Sequence, residues 1–293
     1  MDLSIIIVNW KVKDLLEKCL RSIFEQSKDI SFACPAGAKR LCGEIFVVDN
    51  ASGDGSVEMV REKFPQVDLT ASTENLGFAK GNNLAAKKAN GKYVLLLNPD
   101  TEILDNALEK MVKFMNNHPE CGIAGCKLLN PDLSLQPSVR AFPTFASQAF
   151  ILLKLHHLFP HSKAMYHYLM QNFDYEKTQE VDQVMGAFFM IQREVIDQIG
   201  LLDEKFWIWF EEVDYCKRAK DAGWKILYTP EAKIIHHYGQ SFKQVLNVKR
   251  QKDFNKSLSY YFKKHGTKGE WIVIQILRPM SLFLSWLAKN FKK

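Results

Sequence analysis

The stretch Tyr93-Val94-Leu95-Leu96-Leu97-Asn98-Pro99-Asp100-Thr101 constrains the fold more than any other part of the chain. A short, continuous apolar run bounded by Gly91 and Pro99 reads as a strand buried on both faces of a parallel sheet. In open α/β sheets ligands collect beyond the carboxyl ends of the strands, which would place Asn98 and Asp100 at a ligand crevice. Taken alone, a strand ending in an ordinary Asx-Pro turn accounts for the stretch equally well.

The same pattern recurs upstream. Leu3 to Asn9 is a β-branched apolar run, and Lys13 to Gln26 repeats apolar residues with helical period. After a loop over Ser27 to Gly43, Glu44 to Val48 reads as a second strand that ends in Asp49-Asn50-Ala51-Ser52-Gly53-Asp54-Gly55-Ser56. Ser56 is the expected cap of a helix to Phe64, Val67 to Ala71 a short third strand, and Glu74 to Asn83 a glycine-bearing lead into a helix. Four strands with intervening helices predict a parallel, right-handed, doubly wound sheet. Three strand ends then carry acids or amides: Asn9, Asp49-Asn50, and Asn98 with Asp100.

Further on, Ile123 to Leu129, Val184 to Ile191 and Trp224 to Tyr228 read as strands, and Pro230 as a turn. The aromatic and His-rich segment Phe142 to Tyr175 has no period that assigns it. Phe206-Trp207-Ile208-Trp209-Phe210 leads into a predicted helix from Glu211, on which Glu211, Asp214 and Arg218 share a face while Glu212 points about 100° away. Those acids are open to two readings, chemistry or helix-dipole capping. Ile234-Ile235 ends in His236-His237, which would need Asp100 as a partner to hold a metal or phosphate.

Of 293 residues 47% are hydrophobic, enough to fill a sizeable core. The six cysteines show neither a CxxC pair nor zinc spacing, and Met1-Asp2 leads straight into the first strand with no signal-type segment, so a reducing, cytoplasmic setting is expected. The net charge of +6 is uneven: Lys243 to Lys293 hold twelve Lys/Arg against Asp253 and Glu270, a balance of +10 that leaves −4 for residues 1–242. Trp271 to Leu287 is strongly apolar but interrupted by Arg278-Pro279, which is short of the roughly 20 apolar residues of a membrane span. A basic, amphipathic membrane-surface segment is the favoured reading, ahead of nucleic acid; the alternative is a terminal helix packed on the catalytic domain or on a second copy.

Seven motifs occur together and in order: VDNASGDGS at 48–56, ENLGFAKGNN at 74–83, LLNPDT at 96–101, GAFFMIQRE at 186–194, IGLLDEKFWIWFEEVDYCKR at 199–218, AGWKILYTP at 222–230 and IIHHYGQS at 234–241. As a set they resemble family 2 glycosyltransferases of the GT-A fold, particularly the bacterial rhamnosyltransferase-like branch that builds surface polysaccharides. The resemblance covers residues 3 to 242 and implies inverting transfer of a sugar, such as rhamnose, from a nucleoside diphosphate-sugar to a glycan or lipid-linked glycan acceptor at the inner face of the cell membrane. It implies a catalytic domain over 1–242; the basic, amphipathic helical tail expected over 243–293 lies outside it.

Residue by residue, the resemblance matches Asp49 to the acid that binds the nucleotide base, with Asn9, Asn50 and Ser52 nearby, and Asn75, Gly77 and Asn82 to the donor-contacting loop. Asn98-Pro99-Asp100 matches the Asp-x-Asp element that holds Mg²⁺ or Mn²⁺ against the diphosphate, and His236 the late metal-associated histidine. Glu211-Glu212 matches the Glu-Asp pair, with Glu212 as the general base, Glu211 the alternative, and Asp214 a structural partner of Arg218. Two positions depart from the pattern: Asn98 removes one charge from the cation site, and Glu212 adds a methylene where Asp is usual. The rivals are a sugar-nucleotide nucleotidyltransferase, against which the glycine-free Asn9-Trp10-Lys11-Val12-Lys13 argues, and a catalytically degenerate nucleotide-sugar or glycan-binding protein.

Overall fold

A computed structural model describes residues 1–32, 40–239 and 247–291. Cys34, Gln240 and Ser241 of the last motif, the 242/243 boundary, and Lys292 and Lys293 lie outside the described residues. The first half alternates β1 (Leu3–Asn9), α1 (Lys13–Gln26), a two-residue β2 (Ile30–Ser31), β3 (Leu41–Asp49), α2 (Ser56–Lys63), β4 (Asp68–Ala71), α3 (Gly77–Ala86), β5 (Tyr93–Leu97), β6 (Thr101–Ile103), α4 (Ala107–Asn117) and β7 (Cys121–Leu129). The second half adds β8 (Leu135–Gln136), β9 (Val139–Arg140), α5 (Phe145–Leu152), α6 (Lys163–Tyr168), β10 (Gln179–Glu180), β11 (Gln183–Val184), β12 (Phe188–Gln192), α7 (Arg193–Ile199), α8 (Glu211–Asp221) and β13 (Lys225–His236). Two tail helices complete the chain, Asn247–His265 and Lys268–Phe291.

The main sheet runs β10-β13-β7-β12-β5-β1-β3-β2, with β4 on β3, β6 on β13 and β8 on β7. Its first half, β4-β3-β1-β5, is parallel, as the continuous apolar runs require. Alternation along β1 and β5 shows why those runs have no polar face. Leu3, Ile5, Ile7, Tyr93, Leu95 and Leu97 pack with Leu16 and Leu20 of α1 and Leu108 and Met111 of α4. Ile6, Val8, Val94 and Leu96 pack on the other side with Ala85 and Ala86 of α3 and Tyr215 of α8. Apolar burial on both faces stabilises this part of the sheet by about 25 cal/mol per Å².

Several expected elements take a different form. Residues Val184 to Ile191 are not one strand: β11 pairs with β9, the chain turns, and β12 enters the main sheet antiparallel to both β5 and β7. Lys225 to Tyr228, the expected strand less Trp224, and Ile234 to His236 belong to the single strand β13, whose register shifts between Thr229 and Lys233, so Pro230 lies in a bulge, where a residue without an N–H is tolerated. Ser56 opens α2 but does not cap it; Asp54 Oδ1 accepts from the Ser56 N–H at 3.1 Å, while Gly55 takes φ +84°. The unassigned Phe142–Tyr175 segment holds α5, started by a reciprocal Thr144–Ser147 capping box, and α6. Cys19, Cys121, Cys126 and Cys216 are free and buried, whereas Cys42 is disulfide-bonded, which the cysteine spacing did not indicate.

The tail is not split at Pro279: Lys268–Phe291 is one helix with the proline inside it, beside an Arg278 carbonyl that accepts from Asn255 Nδ2 at 3.2 Å. It packs on the catalytic part through a third apolar cluster, in which Leu258, Tyr261, Phe262 and Ile274 meet Leu152, Phe206, Phe210 and Val213. Among the described residues no helix is long and apolar enough to cross a membrane.

Candidate active site

The carboxyl ends of β1 and β3 are tied side by side, Asn9 opposite Asp49 in the parallel register. Asn9 Nδ2 donates to Asp49 Oδ1 at 2.8 Å and to Ser52 Oγ at 3.1 Å, and the Ser52 N–H donates to Asp49 Oδ2 at 3.0 Å. All three side chains, and Asn50, are buried. Asn50 Nδ2 donates to the Gly77 carbonyl at 3.0 Å, and Asn75 Oδ1 accepts from the Gly77 N–H at 2.9 Å. The structure thus gathers Asn9, Asp49, Asn50, Ser52, Asn75 and Gly77 into one polar network. Gly77 sits at φ +76°, and a Cβ there would meet the Trp207 carbonyl at 2.7 Å, so no other residue fits. Asn82 is buried within α3, its amide donating to the Phe78 carbonyl of its own helix at 2.9 Å.

Beyond β5 the chain turns sharply. The Asn98 N–H donates to the Ala187 carbonyl at 3.1 Å and the Asn98 carbonyl accepts from Thr101 Oγ1 at 2.8 Å, leaving the Asn98 side chain half-buried. Asp100 is buried, and its Oδ1 stands 3.4 Å from Nε2 of buried His236 at the end of β13. These two meet because β6 and β13 pair antiparallel, with His236 opposite Thr101. Gln136 orients the imidazole: its Nε2 donates to Asn130 Oδ1 and to the His236 carbonyl, so its Oε1 is the acceptor facing His236 Nδ1 at 2.7 Å. Nδ1 therefore carries the proton, and in the neutral ring the Nε2 lone pair faces Asp100, the second-sphere arrangement of a metal-binding histidine. Among the described residues no group of three or more His, Cys, Asp or Glu is arranged to hold a metal. Asp100 and His236 thus fit a hard divalent cation only as a two-ligand site completed by phosphate oxygens and water, which is how Mg²⁺ is usually held. The neighbouring His237 turns away, its Nε2 2.6 Å from Glu102 Oε1.

The third group lies at the start of α8. Trp209 and Phe210 both have positive φ, +63° and +69°, a strained turn that swings Glu211 and Glu212 into the interior. Glu211 is buried and Glu212 half-buried, and Oε2 of each is a buried oxygen with no hydrogen-bond partner among the described residues. Burial raises both carboxyl pKa values. Glu211 is raised well above the usual range, by burial and then by the charge of Glu212, against opposing backbone hydrogen bonds at Glu211 and Trp209; Glu212 is raised by burial, against the Glu212 and Val213 backbone amides and the Arg140 guanidinium. The two carboxyls titrate as a coupled pair, and ionisation of one raises the other further.

Gly186 ties this pair to the cation site. A Cβ on Gly186 would lie 3.8 Å from Glu212 Cγ, and the next residue, Ala187, is the one whose carbonyl holds Asn98. The Trp207 carbonyl accepts from the Phe78 N–H at 3.0 Å, joining the same segment to the Gly77 turn. Within the aromatic stretch, Phe206 and Phe210 are core, while Trp207 is 42% exposed over Gly77. Asp214 plays a different part from its neighbours: it accepts from Arg218 Nε at 2.9 Å, and Lys264 Nζ and His265 Nε2 each lie 2.7 Å away. Burial alone would raise its pKa, but the His265, Lys264 and Arg218 contacts outweigh burial and hold its carboxyl below the usual range. Arg218 also donates to the Ile199 and Leu201 carbonyls, so this acid secures α8 against the loop before it and the first tail helix behind it. Gln136, Arg140, Lys264 and His265 were not among the residues singled out from sequence; each is joined to the site by contacts between elements far apart in the chain.

The mixed α/β fold, with its large, mostly parallel sheet, is of the GT-A kind. The chain belongs to glycosyl transferase family 2, whose model matches residues 4–200, and it is a glycosyltransferase. It is 24% identical over 208 residues, 67% of either chain, to an N-acetylglucosaminyl-diphospho-decaprenol L-rhamnosyltransferase of Mycobacterium tuberculosis. Among solved structures it is similar to the mannosyltransferase PcManGT of Pyrobaculum calidifontis, in complex with GDP-Man and Mn²⁺, at a TM-score of 0.56 and 17% identity over 98% of this chain and 73% of that one. It is also similar to GalNAc-T7 with UDP, GalNAc and Mn²⁺, at a TM-score of 0.59 and 16% identity over 80% of this chain and 44% of that one. Family membership sets aside nucleotidyl transfer, and the GT-A-like architecture agrees with the expected α/β fold.

Proposed function

We propose that this enzyme transfers a sugar, rhamnose in the first instance, from a nucleoside diphosphate donor to a hydroxyl of a lipid-linked glycan in cell-surface polysaccharide synthesis, with inversion at the anomeric carbon. The observation that carries this reading is the unpartnered Glu212 Oε2, on a side chain packed beside Gly186, the residue before the Ala187 carbonyl that holds the Asn98 N–H. The relative's name supplies the sugar and the lipid-linked acceptor as expectations.

In the proposed reaction Asp49, Asn9, Asn50 and Ser52 seat the nucleotide at the β1 and β3 ends, while Asn75 and Gly77 close the donor loop. Asn82 serves that loop from inside α3, and Asn98 offers an uncharged amide toward the diphosphate. Mg²⁺ or Mn²⁺ held by Asp100 and His236 would supply Lewis-acid stabilisation of the departing diphosphate. Glu212 takes the proton of the acceptor hydroxyl as its oxygen bonds to the anomeric carbon and the bond to the diphosphate breaks, the electron pair leaving with the nucleoside diphosphate. Glu211, protonated, limits the negative charge beside that base. The work takes place at the cytoplasmic face of the membrane, which residues 271–293 contact.

The test is a panel of UDP-, dTDP- and GDP-sugars with Mn²⁺ and a GlcNAc-diphosphate-lipid acceptor, read by nucleoside diphosphate release and product anomeric configuration. Inverted product, lost in Asp100→Ala, is the expected result. Tight donor binding without turnover for every donor would sink the reading, as would retention of configuration.

A further inference from the structure

We infer that the outward face of the Lys268–Phe291 helix is a docking surface for an anionic lipid bilayer, lying in the plane of the headgroups. The inference deepens the membrane contact proposed above, and rests on it. Ile272, Val273, Ile276, Met280, Phe283 and Trp286 are all large, apolar and exposed, from 38% at Val273 to 66% at Ile276. At 100° per residue they fall within an arc of about 140°, and Glu270 and Arg278 fall outside it. The Phe283 and Trp286 rings stack on one another at 6.2 Å.

The opposite face of the same helix is already occupied. Ile274 and Ser281 are fully buried, Leu277 packs on the tail cluster, Gln275 Nε2 donates to Ser259 Oγ, and Asn255 holds the Arg278 carbonyl. The helix is thus fixed on the catalytic part, and its outer stripe cannot turn inward to join the core. A fixed helix with one buried and one exposed apolar face is built to meet a second apolar phase. Leu158 and Phe159, 72% and 56% exposed, add an apolar pair in the segment after α5, which itself packs on this helix.

Charge selects the occupant. The +10 balance from Lys243 to Lys293 attracts an anionic surface. A second copy would have to pair the same patch on both chains and bring two such basic tails together. A crossing helix is excluded by length and polarity among the described residues.

The experiment is cosedimentation of the full chain with phosphatidylcholine vesicles, with and without about one-third phosphatidylglycerol, together with quenching of Trp286 fluorescence by acyl-brominated lipid and Trp286→Phe as control. Binding to anionic vesicles, quenching lost in Trp286→Phe, and binding weakened about tenfold or more in Ile276→Ser/Phe283→Ser are expected. Both substituted positions are exposed, so the variant should keep its melting temperature and its turnover of a short, water-soluble acceptor. Absence of anionic-vesicle binding, equal binding by the variant, or a wild-type dimer in light scattering that the double variant dissociates would each overturn the inference. Vesicle binding needs no turnover, so its failure is separable from failure of the transfer reaction.

Discussion

The strand-end network and the start of α8 are both buried and polar, yet they are built on opposite terms. At the strand ends Asp49, Ser52 and Asn50 are tied to neighbours 3 to 43 residues away, and both Asp49 oxygens accept hydrogen bonds. At α8, Glu211 and Glu212 each keep an oxygen with no partner, and burial raises both pKa values. Asn9 Oδ1 in that network is also buried without a partner among the described residues, but the acid is satisfied, and an Asp49 with both oxygens bonded makes a platform suited to holding a ligand without changing it. An unsatisfied pair stores free energy that only an incoming group with a proton to share can relieve. Asp214, one turn on, shows that the helix itself is not strained: its carboxylate has three cationic or imidazole partners.

The contrast can be broken most severely at Glu212. Glu212→Gln is expected to lower kcat by about 10²–10⁴ while donor affinity and melting temperature stay near wild type; a loss of donor binding instead would make Glu212 part of the platform. Asp214→Ala strands Arg218, Lys264 and His265 around an empty position, and urea titration should show a loss of about 3–5 kcal/mol. A loss below about 1 kcal/mol would mean that the tail does not secure α8. Gln136→Leu frees the His236 tautomer without touching a proposed ligand, and should weaken Mn²⁺ affinity about 10- to 100-fold in a calorimetric titration with donor present.

Glu211→Gln gives the smallest effect and sharpens the comparison through its sign. Because the folded state holds Glu211 protonated above its ordinary value of 4.5, rising pH ionises the unfolded chain first and costs the native state stability. The variant should melt a few degrees higher than wild type near pH 7, the gain disappearing below about pH 4, where both states are protonated. A lower melting temperature at pH 7 would show that the Glu211 carboxyl is satisfied in solution.

Much of the platform is legible in the sequence because it is local. Runs such as Leu3–Asn9 and Tyr93–Leu97 announce strands covered on both faces, and the polar residues that close each run are by construction at a strand end. The direction of β12 is not legible, since an apolar pentapeptide looks the same whichever way it enters the sheet. Neither is the shell around the acids: Gln136 meets His236 across 100 residues, and His265 meets Asp214 across 51, from a tail whose apolar content favoured a membrane surface over packing. The structure shows the packing face directly and leaves the other face exposed. That Pro279 lies inside one continuous helix is not legible either, as a helix braced along one side by a neighbour accommodates a proline that would break it alone.

The central claim, that Glu212 is the ionised base beside a protonated Glu211, is tested most directly by the pH dependence of kcat with donor and acceptor saturating. Burial predicts an acid limb with an apparent pKa above the ordinary 4.5, belonging to the coupled pair, and disappearing in the residual activity of Glu212→Gln. An acid limb at or below 4.5, or one that survives unchanged in Glu212→Gln, would contradict it.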